Sequence, residues 1–247
     1  MLHALLAAVL LVSPITSRAA PVRLAQAPAA KPAPAAAPAP PATPAAPAPP
    51  AAAPPAAEPE ATALARKVQA LYEKTRDLEA RFTQTYVYAG VGRRLVSTGV
   101  LKVKKPGLMR WDYATPSRKT IAVTGKRLVQ YEPEDRQAYV DEAFDATAMS
   151  AAVTFLLGQG DLAKEFDLGL GEGGSLVLTP KAEDPRVQRI ILTVGPGGEV
   201  LGTTVLDGGG NENRLAFSDM KRNAGLSDAD FTVELPKDVR RIAPPGK

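Results

Sequence analysis

From Arg81 onward the chain is a succession of short runs rich in Val, Ile, Thr and Tyr, each alternating apolar and polar residues and each closed by turn residues. A period of two along short runs specifies half-buried strands. The runs are Arg81–Tyr88, Leu95–Lys104, Leu108–Tyr113, Lys119–Thr124, Leu128–Glu132 and Ala138–Asp141, then Phe166–Leu170, Ser175–Thr179, Arg189–Val194, Val200–Leu206, Asn213–Phe217 and Asp230–Val233. Links such as Gly125-Lys126, Glu134-Asp135 and Gly195-Pro196-Gly197-Gly198 are too short for crossovers, so sequential strands run antiparallel.

Two helices frame these strands. Leu64, Val68, Leu71, Thr75, Leu78 and Phe82 recur at steps of three and four, which predicts one amphipathic helix before the period shortens after Ala80. Met149, Val153, Leu156 and Leu157 share the face of a second helix over Ala146–Gly158, with Gly158 as its stop. The expected fold is mainly β with α: an incomplete antiparallel β-barrel of 11 or 12 strands, whose concave apolar cavity is covered by helices.

The ends of the chain set the domain plan. Leu5–Val12 is a short apolar run with no Lys or Arg ahead of it, followed by Ser17-Arg18-Ala19-Ala20; residues 1–20 read as a secretory signal cut after Ala19 or Ala20, or retained as a tether. The run falls short of the ~20 residues a membrane-spanning helix needs. Residues 21–61 are mostly Ala and Pro, a composition that cannot bury a core and favours an extended spacer. Residues 62–247 form the domain, long enough to bury about 70% of its unfolded surface. The expected product is exported to the periplasm and soluble after signal cleavage.

Composition removes several chemistries. There is no cysteine, and the single histidine, His3, lies in the leader, so the mature domain offers no imidazole base, no thiol nucleophile and no Cys or His metal ligand. Removing three cations (Arg18, Arg23, Lys31) and two anions (Glu58, Glu60) takes the net charge of +4 to about +3 for the domain. Its basic doublets are not interleaved with stacking aromatics, so nucleic acid is not an expected partner. Gly171-Glu172-Gly173-Gly174 and Gly208-Gly209-Gly210 lack the helix and Lys-Ser/Thr of a phosphate loop and read as hairpin turns. Asp207, Asn211 and Asn213, and likewise Asp228 and Asp230, depart from EF-hand spacing and read as turn or cap residues. No cofactor is implied.

The segment Gly99–Tyr113 carries the functional signal. Alternation places Leu101, Val103 and Lys105 on one face, and Met109, Trp111 and Tyr113 on one face of the next strand. Lys105 therefore ends an apolar row, where it can donate to carbonyls of a covering helix or to a ligand's polar head, or simply reach water.

These residues belong to an ordered series: Arg81-Phe82-Thr83-Gln84, Gly99-Val100-Leu101-Lys102-Val103-Lys104-Lys105-Pro106, Arg110-Trp111-Asp112-Tyr113 with Pro116, Gly125-Lys126-Arg127-Leu128 with Tyr131 and Pro133, Leu178-Thr179-Pro180, and Asp230-Phe231-Thr232-Val233 before Pro236. The series resembles the periplasmic outer-membrane lipoprotein carriers, the LolA-like family. That resemblance implies a carrier, not an enzyme, that shields lipoprotein acyl chains from water as a monomer. By that resemblance it receives them from an inner-membrane ATP-driven releasing complex and delivers them to the outer membrane, often to an acceptor lipoprotein of similar fold. By the same resemblance, Leu101, Val103, Met109, Trp111, Tyr113 and Ile121 line the cavity, and Met149, Val153, Leu156 and Leu157 form the lid face. Lys105 stands where the family typically has an arginine that latches the lid, keeping the charge but not the planar fork. Two other readings are a carrier or sensor of another amphiphile, such as a glycolipid, and a His-free secreted hydrolase using Ser117 with Lys119 or paired carboxylates.

Overall fold

A computed structural model describes residues 57–144, 161–183 and 186–244. The signal segment, most of the Pro/Ala tract and the expected second helix lie outside the described residues.

Helix α1 (Ala57–Glu73) opens before the Thr62 boundary. Its buried stripe is Ala61, Ala65, Val68 and Tyr72, a helical spacing, with Leu64 and Leu71 partly buried on the flank. The helix is shorter than the periodicity suggested. Thr75 closes it, its hydroxyl donating to the Leu71 carbonyl at 2.9 Å and its backbone N–H to that of Tyr72 at 3.0 Å. Leu78 and Phe82 lie instead on strand β1 (Asp77–Tyr88), where Leu78, Ala80, Phe82, Gln84 and Tyr86 are buried in alternation. A four-residue step returns to the same face of a helix or a strand, so that spacing alone could not place the boundary.

The remaining strands are β2 (Arg93–Lys104), β3 (Leu108–Thr115), β4 (Lys119–Thr124), β5 (Arg127–Glu132), β6 (Gln137–Asp141), β7 (Phe166–Leu170), β8 (Leu176–Pro180), β9 (Arg189–Val194), β10 (Val200–Leu206), β11 (Glu212–Arg222) and β12 (Arg240–Ile242). They form one open sheet of twelve strands, ordered β12-β6-β5-β4-β3-β2-β1-β11-β10-β9-β8-β7. β1 joins the two halves, pairing with β2 on one side and β11 on the other. Both halves contribute to one buried apolar cluster, and α1 packs on β7, β8 and the short helix α2 (Leu162–Glu165). No helix among the described residues is long and apolar enough to cross a membrane.

Two expectations are corrected at the C-terminus. Residues Asp228–Phe231 make a 3-10 turn where a strand was expected over Asp230–Val233. Asp230 accepts from the Ser227 backbone N–H and hydroxyl, both at 2.8 Å, holding the turn and keeping its carboxyl below the usual range. The chain continues extended, but Arg110 of β3 binds its carbonyls at Asp230 and Thr232 (3.3 and 2.8 Å) in place of a ladder. Alternation there reports one-sided burial of extended chain, with Phe231 fully buried, and not pairing. Having crossed the outer face, the chain enters β12, which pairs parallel with β6 and so breaks the all-antiparallel pattern.

Candidate functional site

Register fixes the inner face residue by residue. Leu101 pairs with Ala80 and Trp111, Trp111 with Ile121, Val103 with Leu78 and Met109, and Gly99 with Phe82 and Tyr113. The six lining candidates thus share one face and one apolar cluster, exposed by 6% or less. Phe82 ties them together: its ring meets Trp111 edge-on at 4.9 Å and Tyr113 at 5.0 Å. Gly99 makes room for that ring, since a Cβ there would lie 2.7 Å from Phe82 Cζ and 2.1 Å from the Asp112 carbonyl oxygen. The other half of the sheet contributes Leu176, Leu178, Ile190, Leu192, Val205 and Leu215, which the sequence reading did not single out although their alternation was present.

Lys105 sits just beyond β2, at the C-terminal end of α1. Its backbone N–H donates to the Arg76 carbonyl at 2.9 Å, and its ammonium donates to the Tyr72 carbonyl. That carbonyl belongs to the last turn of α1, where partial negative charge gathers and favours a cation. Burial pushes the Lys105 ammonium below the usual lysine range, while the Glu73 carboxylate acts in the opposite direction. A cleft opens beside this contact, lined by Tyr72, Leu78, Leu101, Val103, Lys105 and Met220 among others. The helix is also fastened at Tyr72, whose phenolic oxygen accepts the Val200 N–H at 3.4 Å, and at Lys67, which donates to the Pro196 carbonyl. Met149, Val153, Leu156 and Leu157 lie outside the described residues.

Polar groups interrupt this interior towards the far end of β1. Gln84 Nε2 donates to Asn213 Oδ1 at 2.9 Å, and burial pushes the Tyr113 hydroxyl above the usual tyrosine range. Lys119 Nζ lies over the Tyr113 ring, 4.7 Å from its centroid. Ser117 is exposed in the β3–β4 turn, and no hydrogen bond joins it to Lys119 among the described residues. The acidic and glycine clusters act as turn and cap elements. Asp207 accepts from the Gly209 and Asn211 backbones, each at 2.9 Å, and from Asn211 Nδ2 at 2.8 Å, closing the β10–β11 hairpin. Asp228 pairs with Lys104 at 2.6 Å and Asp230 with Lys102 at 3.5 Å.

The sequence matches the family described as "Outer membrane lipoprotein carrier protein LolA" over residues 73–234. An outer-membrane lipoprotein carrier protein of Pseudomonas paraeruginosa is 30% identical over 190 residues, spanning 74% of this chain and 89% of that protein. Its counterpart in Chromobacterium violaceum is 31% identical over 189 residues, with the same two coverages. Among solved structures, an uncharacterized conserved protein of Thermus thermophilus aligns with TM-score 0.46 and 14% identity, covering 74% of this chain and 99% of that one. A LolA superfamily protein of Nitrosomonas europaea aligns with TM-score 0.39 and 15% identity, covering 70% and 97%. With the family match spanning most of the open sheet and reaching the buried Phe231, the chain belongs to the LolA family of outer-membrane lipoprotein carriers.

Proposed function

We propose that this protein is a periplasmic carrier that takes the acyl chains of lipoproteins into the inner face of its open sheet. In this reading it receives them from an ATP-driven releasing complex of the inner membrane and yields them to the outer membrane, through an acceptor lipoprotein where one exists. The observation that carries the reading is the continuous apolar row from Leu101 to Ile121, beside which Lys105 fastens α1. Each methylene removed from water contributes about 0.8 kcal/mol, so an acyl chain is retained against water yet passes readily to a site of similar apolarity. With its lining exposed by 6% or less, the inner face takes an acyl chain only where the chain displaces what packs on it, and the Lys105–Tyr72 contact is a point at which cargo competes with α1.

The test is native mass spectrometry of the protein isolated from its own periplasm, together with transfer of a triacylated lipoprotein from inner-membrane vesicles. Co-purified triacylated peptide and stoichiometric uptake are expected. A different bound lipid would favour the carrier or sensor of another amphiphile, and an empty protein that also fails to take up lipoprotein would refute the carrier reading.

A further inference from the structure

The inner face is not uniformly apolar, and its polar members are poorly satisfied. Among the described residues, Asn213 Nδ2, Trp111 Nε1, Thr203 Oγ1 and Tyr88 Oη are buried atoms without a hydrogen-bond partner. Asn213 is the most extreme, being fully buried. Its carbonyl oxygen is taken by Gln84, itself 4% exposed, which turns the Asn213 N–H2 group away with two donors unpaired. Register places Gln84 and Thr203 on either side of Leu215, while Asn213 lies opposite Tyr86 and Val205. Three strands therefore bring two amides and a hydroxyl to one patch of the inner face.

An unpaired buried donor is costly, and native structures keep few of them. A surface that needed only to be greasy would carry leucine or valine here, as its neighbours Leu215 and Val205 do. The chemistry of the patch indicates what would satisfy it. The free groups are neutral donors, and they suit a neutral acceptor whose desolvation is less costly than that of an anion. Asp207 lies near enough to help push the Tyr86 hydroxyl up to about 12, second to burial itself, so an anionic group would meet a like charge. The patch also lies at the right remove from the cleft at Lys105. From Leu78, which lines that cleft, to Gln84 is roughly 20 Å along β1 at about 3.4 Å per residue, and Phe82 stands between them.

We infer that Asn213, held by Gln84, is an internal subsite for the carbonyl of an acyl ester or amide, so that the carrier reads the linkage of its lipid as well as its chains. This rests on the carrier reading proposed above. The linkage sits at the Gln84–Asn213 patch, and the chain runs past Phe82 and Trp111 towards the cleft beside Tyr72.

The test uses the full-length protein and two probes of equal chain length: a dioctanoyl glycerol ester and its dioctyl ether analogue, which lacks the carbonyls. Trp111, the sole tryptophan, reports binding by fluorescence. The ester is expected to bind wild type about tenfold more tightly than the ether, the worth of one to two hydrogen bonds. Asn213→Leu is expected to bring the two within twofold and, because it also takes the acceptor from the buried Gln84 Nε2, to lower the thermal midpoint; the double variant Asn213→Leu/Gln84→Met, which removes both amides, is expected to abolish the preference with a midpoint near wild type. Gln84→Met, which frees the Asn213 amide, is expected to weaken the preference and supplies the test if Asn213→Leu does not fold. Equal affinity of wild type for ester and ether, or an ester preference that survives in Asn213→Leu, overturns the subsite and leaves the carrier reading intact. Failure of wild type to bind either probe or lipoprotein overturns both.

Discussion

Gly99→Ala tests the packing of the inner face most sharply. The added methyl would lie 2.1 Å from the Asp112 carbonyl oxygen and 2.7 and 2.8 Å from Phe82 Cζ and Cε1. One obstacle is backbone, and the other is a ring already fixed edge-on against Trp111 and Tyr113. Neither can yield without moving β2 and β3 apart or expelling Phe82 from the cluster. Overpacking of this kind costs about 1–3 kcal/mol, and a backbone obstacle places it near the upper end. Alanine recovers up to about 1 kcal/mol through the reduced freedom of the unfolded chain. A net loss of about 2 kcal/mol remains, which for a domain of this size lowers the melting temperature by about 4–8 °C. The assay is thermal unfolding followed by Trp111 fluorescence, with Gly90→Ala as control, since nothing lies within 4 Å of a Cβ at Gly90. A melting temperature for Gly99→Ala within 2 °C of wild type, with an unaltered Trp111 spectrum, would refute the claim that Phe82 and the β2–β3 register are locked together.

Further outcomes are expected. Lys105→Leu loses a charge-assisted bond to Tyr72 but also relieves the desolvation of the ammonium, so global stability should change by less than about 1 kcal/mol; lipoprotein retention and transfer rates equal to wild type would show that Lys105 does not act on cargo. Because the Tyr86 hydroxyl is raised to about 12, the folded state keeps a proton that the unfolded state releases near 10, so its contribution is complete below pH 10 and disappears as pH climbs towards 12; Tyr86→Phe should flatten that part of an alkaline stability profile. Phe231→Ala should cost about 3–5 kcal/mol as a truncated, fully buried aromatic, whereas Lys104→Ala, which breaks only its pair with the exposed Asp228, should stay within about 0.5 kcal/mol in urea unfolding.

The sequence was most legible where a side chain's direction is set by its own backbone. Alternation places Leu101 and Val103 on one face of their strand and Met109, Trp111 and Tyr113 on one face of the next, and the pleat keeps them there. It was least legible where two structures share a spacing. Leu78 and Phe82, four apart, satisfied the helical pattern, and it is contacts with distant segments, among them the bonds from Arg76 to Asn223 and from Asn223 back to Asp77, that mark where β1 begins. Phe231 and Val233 alternate as a strand does, but the segment's carbonyls are bound by the Arg110 side chain instead of a neighbouring backbone. Lys105 could be placed at the end of an apolar row, while its choice between a helix carbonyl and water was open until α1 was seen beside it.

By itself, then, the sequence determined the strands β1 to β11, their turns, the antiparallel links between neighbours in the chain and the sidedness of each of these strands, because these follow from local dihedral preference and a two-residue period, whereas β12 and the 3-10 turn before it were set by packing. Tertiary structure alone decided that β11 returns to pair with β1, that Phe82 rests over Gly99, and that Gln84 and Asn213, 129 residues apart, meet as buried amides. Such contacts depend on register between distant segments, which is chosen by the packing of the whole sheet and leaves no mark in the spacing of nearby residues.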